Sequence, residues 1–115
     1  MLTHSLERGV LVLKLDDNPS AGDRDSLARY ICDLINAHSP APVVIIIGRA
    51  ASQLVVAAVI EAHRMSSKLK VLVGVATSNA SIRRALEAAN DFFRPRIVVH
   101  ARTDVAMDAA LAAIE

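Results

Sequence analysis

Apolar and polar positions along the chain alternate between two periods, and the stretch from Val43 to Arg64 shows both most clearly. Val43-Val44-Ile45-Ile46-Ile47 is β-branched without polar interruption, the pattern of a strand buried on both faces of a parallel sheet. Gly48-Arg49-Ala50-Ala51-Ser52 breaks the run. Leu54, Val55, Ala58, Val59 and Ala62 then recur at helical spacing up to His63 and Arg64, which predicts a helix with one apolar face.

The same reading orders the rest of the chain. Leu2–Leu6 and Gly9–Leu15 read as two strands joined by a tight Glu7-Arg8-Gly9 hairpin. The turn-forming cluster from Asp16 to Gly22 is a loop, and Asp23 or Asp25 caps a helix with an apolar stripe of Leu27, Tyr30, Ile31, Leu34 and Ile35. Ser39-Pro40-Ala41-Pro42 ends it, since proline cannot continue a helix. Leu69–Val75 reads as another buried parallel strand. Ser78 or Asn79 caps a helix running to about Ala89, which Asn90-Asp91 closes through a left-handed end. Ile97–His100 is the last strand, and Thr103 caps a final helix to Ile114 with Val105, Ala109, Ala112 and Ala113 on or near one face. The expectation is a single α/β domain over residues 1–115, with a mixed, mostly parallel sheet of about five strands, about four helices and the order ββαβαβαβα.

Composition narrows the function classes. With 115 residues, 53% apolar and 22% charged, the chain has the size and balance of one folded domain. A net charge of +1 supplies no basic field for nucleic acid. No apolar run approaches the ~20 residues of a membrane-spanning helix, and no signal core follows Met1, so a cytoplasmic location is expected. Cys32 is the lone cysteine, which leaves no internal disulfide and no cysteine metal cage.

In open α/β sheets, ligands and partners gather where strands end at their carboxyl side, which draws attention to Arg49–Leu54. Ser52 there admits two readings. Its hydroxyl either caps the helix, or accepts a phosphate stabilised by the free backbone N–H groups and by Arg49. Leu54 and Val55 either present an apolar knob to a partner or turn inward. Other residues carry plainer readings. Asp16, Asp17 and Asn18 have turn chemistry, and a phosphate-receiving domain would need an aspartate where Ile47-Gly48 stands. His4, His38, His63 and His100 lie on separate elements without metal spacing and read as surface or helix-end residues. Cys32 is a small filler, and Ser20, Ser26, Thr77 and Ser78 have no general base beside them. Arg83 and Arg84 read as an exposed helix face, Arg94 and Arg96 as the flanks of a turn, and Phe92 and Phe93 as core. No dinucleotide or triphosphate cradle is present, so neither a cofactor nor catalysis is expected.

Several of these patterns in order resemble the STAS domain, the family of anti-sigma factor antagonists and the cytoplasmic tails of sulfate transporters. Gly9–Leu15 looks like its second strand, Glu61-Ala62-His63-Arg64 before LKVLVGV like its second helix and fourth strand, and Ser81-Ile82-Arg83-Arg84-Ala85-Leu86-Glu87 like its third helix. Typical antagonists carry Asp-Ser-Ser-Gly at the start of the second helix, where a partner kinase that is also the anti-sigma factor phosphorylates a serine. Here Ser52-Gln53-Leu54-Val55 aligns with that motif, in a loop about two residues short. Only a shift of one or two residues places Ser52 on the phosphorylated position. The resemblance implies a non-enzymatic regulator that binds an anti-sigma factor or serine kinase-like partner to modulate sigma-dependent transcription. Its contacts would fall on Asp16, Asp17, Asn18, Arg49, Ser52, Gln53, Leu54 and Val55, with control either lost or moved to Ser52. The alternatives are a small-ligand or nucleotide sensor on the same scaffold, or a structural subunit that self-associates as a homo-oligomer.

Overall fold

A computed structural model describes residues 2–15, 24–92 and 96–114. The strands are β1 (Leu2–Glu7), β2 (Val10–Leu15), β3 (Val43–Ile47), β4 (Val73–Ala76) and β5 (Val98–His100). The helices are α1 (Arg24–His38), α2 (Gln53–Met65), α3 (Ala80–Ala89) and α4 (Thr103–Ile114). The five strands lie in sequence order, with β1 antiparallel at one edge and the other four parallel. The chain is thus a single compact α/β domain with the expected element order.

The β1–β2 hairpin turns on Arg8 at φ 52° and Gly9 at φ 86°, the two consecutive positive φ angles of a two-residue turn whose twist suits paired strands. Each later strand is added on the same side of its predecessor, and right-handed crossovers then put the intervening helices on one face. Accordingly α1 packs on α2 and α2 on α3. They enclose the main core with Leu11, Leu13 and Leu15 from β2, Val43, Ile45 and Ile47 from β3, and Val73 and Val75 from β4. α4 lies on the opposite face. There Ala106 and Ala110 close over Val10, Val12, Val44 and Ala76 in a smaller second core. Both faces of β3 are covered, as its unbroken apolar run requires.

Several expectations change in detail. Leu69 and Lys70 are not in a strand: Ser67–Leu69 is a 3-10 turn ended by Lys70 in left-handed geometry. The ladder begins only at Val73, opposite Val43, where β3 itself begins. In α1 the buried stripe contains Ala28, whereas Tyr30 is 45% exposed. In α4, Ala106 and Ala110 face inward and Val105 is exposed. An alanine-rich helix has little periodic contrast, and its smallest side chains approach the sheet. His63 stands at a helix end as expected but is buried, being one turn beyond Val59 on the same stripe.

Asn90 does not adopt a left-handed helix end. It is right-handed at φ −61° and ψ −16° and opens the 3-10 turn Asn90–Phe92. Its buried amide donates to the Ile97 carbonyl oxygen and accepts from the Ile97 N–H, both at 2.8 Å. This pairing secures the chain as it enters β5 without a strand partner there.

Candidate functional site

The carboxyl ends of β3 and β4 carry two loops, and side chains from α3 join them. In the loop after β3, the Gly48 N–H donates to the Leu15 carbonyl at 3.1 Å and the Ala51 N–H to the Gly48 carbonyl at 3.2 Å. The loop therefore turns tightly and delivers Ser52 to the start of α2. In the loop after β4, the Thr77 N–H donates to the His100 carbonyl at 3.1 Å.

Asn79 ties the loops together. Its Oδ1 accepts from the N–H groups of Ser81 and Ile82 at 2.9 and 3.2 Å, capping α3. Its Nδ2 donates to the Arg49 carbonyl at 2.7 Å. Both ends of one amide are used, one within its own helix and one across to the neighbouring loop. Arg83 holds α3 to the loop that precedes it, Nη1 donating to the Thr77 carbonyl at 2.7 Å. Arg83 is consequently half-buried and engaged, rather than part of an exposed basic face, while Arg84 remains exposed beside Ser81.

Ser52 has the extended backbone of an N-cap, φ −81° and ψ 167°, but its side chain makes no capping hydrogen bond. The Val55 N–H is taken instead by the Ser52 backbone carbonyl at 3.1 Å. The Ser52 residue is exposed, with Arg49 and Gln53 exposed on either side of it. A hydroxyl is thus presented to solvent at the positive end of the α2 dipole. No acidic residue stands in the first turn of α2, so no carboxylate in that turn repels a negative charge.

The sequence-level candidates divide accordingly. Arg49, Ser52 and Gln53 form one exposed group. Leu54 is partly buried and packs against the main core. Val55 is fully buried and is a core residue, which removes it from any partner-facing surface. Asp16, Asp17 and Asn18 lie outside the described residues. Sequence reasoning placed Asn79 only as a cap and missed its bond to Arg49, because nothing local links positions 30 residues apart.

Elsewhere, Cys32 is buried and its thiol is pushed above the ordinary value of 9.0, first by burial and then by the charge of Asp33, against a hydrogen bond from Asn36. His4 on β1 and His38 at the end of α1 come within 6.4 Å between ring centroids. Among the described residues, no three histidine, cysteine or acidic side chains gather as metal ligands would, and no helix is long and apolar enough to cross a membrane. The chain matches no protein-family model and no curated protein.

Proposed function

We propose that this chain is a STAS-like protein-binding module, an anti-sigma factor antagonist in type, whose control point is Ser52. The observation that carries the reading is the Ser52 hydroxyl, exposed at the head of α2 and free of any capping bond. A serine that only capped its helix would direct that oxygen to the N–H groups of the first turn. Phosphorylation would add about −1.5 to −2 charge where backbone N–H groups and Arg49 favour it. In the same step it would cover Arg49 and Gln53 with charge and alter the docking surface. The reading is non-enzymatic and cytoplasmic: a partner resembling an anti-sigma factor and serine kinase docks on Arg49, Ser52 and Gln53, and its capture frees a sigma factor.

Capture from lysate of the source cell with wild-type, Ser52→Ala and Ser52→Glu baits tests this, with mass spectrometry of the bound proteins and of the bait. The expected result is an anti-sigma factor kinase retained by wild type and Ser52→Ala, at least about tenfold weaker on Ser52→Glu, with phosphate on Ser52 of wild type. Equal retention by all three baits without phosphate would remove the switch. Absence of any such kinase or anti-sigma factor would remove the antagonist reading.

A further inference from the structure

The opposite end of the sheet carries a cleft that the partner-binding reading does not use. It has a volume of about 660 Å³ and lies where β2, β3 and β4 begin, within the ~300–1,000 Å³ typical of small-molecule sites. Its apolar lining includes Leu6, Pro42, Val71 and Ile114, and its polar lining includes His38 and Lys70. Leu6 is 57% exposed and Ile114 49% exposed, so large aliphatic side chains meet water here.

Two features give the cleft a chemical preference. Lys70 lines it in left-handed geometry, φ 54°, a conformation that costs a non-glycine residue roughly 1–2 kcal/mol and that persists where the surroundings hold it. Arg8, at φ 52°, is the other non-glycine residue with positive φ among those described, and it directly precedes Gly9, which also lines the cleft. Among the described residues neither cation has an ion-pair partner. The nearest carboxylate in sequence, Glu7, accepts a hydrogen bond from Ser5 Oγ at 2.9 Å, and strand alternation places it on the face of β1 away from Leu6. An apolar trough whose lining includes a lysine without an ion-pair partner among the described residues matches an apolar body that ends in a negative charge.

We infer that this cleft binds a medium-chain aliphatic carboxylate, its chain lying along Leu6, Pro42, Val71 and Ile114 and its head group meeting Lys70. A charge-assisted hydrogen bond to the ammonium fixes the polar end, and the apolar walls fix the chain length. The site is separate from the Ser52 surface and stands independently of the function proposed there.

Decanoate is the probe, used below the concentration at which it forms micelles, beside 1-decanol and decylamine as neutral and cationic chains of equal length. Backbone amide chemical shifts and thermal unfolding are followed for wild type and for Lys70→Asn. Asparagine tolerates left-handed geometry better than lysine, so this variant keeps its fold while losing the charge. The expected result is saturable shifts at Leu6, Ala41 and Val71 with decanoate and a rise in Tm. Decanol and decylamine bind at least about tenfold more weakly, and Lys70→Asn loses about tenfold for decanoate alone. Equal binding of decanol and decanoate, shifts on another surface, or no saturable shift by ~1 mM would each overturn the assignment.

Discussion

Single amides do much of the positioning in this molecule, and Asn90 and Asn79 do it differently. Asn90 satisfies both backbone groups of Ile97 in a buried setting. Replacing it with leucine leaves a donor and an acceptor unpaired, at about 1–3 kcal/mol for each group. Asn90→Leu should therefore lower unfolding stability by roughly 2–6 kcal/mol in urea titration, with no change in the denaturant slope. Asn79 separates capping from bridging. Asn79→Asp keeps the oxygen that caps α3 and loses the N–H that holds the Arg49 carbonyl. Global stability should then change by less than about 1 kcal/mol, while amide exchange at Ala51 and Ser52 quickens; unchanged exchange there would show that Asn79 does not hold the loop. Cys32 has a pH consequence. Its folded-state pKa is raised, so the unfolded thiol ionises first, and stability present below the unfolded value is lost as pH rises through and beyond about 9. Cys32→Ala should remove that part of the alkaline loss in thermal scans.

At the scale of elements, the hairpin and the head of α2 show what local pattern decides. Arg8 adopts left-handed geometry at some cost, and asparagine before glycine is the preferred pair for this turn. Arg8→Asn should raise Tm, by an amount corresponding to up to about 1 kcal/mol; a fall would mean that the arginine makes a compensating contact. In α2, Val55 is fully buried, and Val55→Ala should cost about 2 kcal/mol, from two methyl groups at ~0.8 kcal/mol each plus the cavity left behind. Gln53→Ala, at an exposed neighbouring position, should leave stability within about 0.5 kcal/mol. Element order was legible because unbroken apolar runs mark doubly covered strands and three- and four-residue spacings mark helices. Where β4 begins was not legible: Leu69 and Lys70 continue an apolar alternation, yet strand length is set by the partner strand's own start at Val43. The inward face of α4 was equally hidden, since alanines offer no contrast between faces.

For the whole molecule, consecutive strand order concentrates three helices on one face and leaves α4 to cover the other. The two ends of the sheet become chemically distinct. The carboxyl end presents Arg49, Ser52 and Gln53 on loops joined by Asn79, while the amino end holds an apolar cleft whose lining includes Lys70. The first was legible as a location from the strand-to-helix break at Gly48–Ser52. Its construction was not, because the ties come from residues distant in sequence. The cleft left no local signal, since its walls come from four separate segments of the chain. In the function proposed above, a partner protein docks on the carboxyl end of the sheet. Hydrogen–deuterium exchange on the complex with the captured partner tests it most directly. The expected result is slowed exchange across Arg49–Leu54, with Leu6–Gly9 and Lys70–Leu72 unchanged. Protection at the amino end or along α4, with Arg49–Leu54 unaffected, would contradict it.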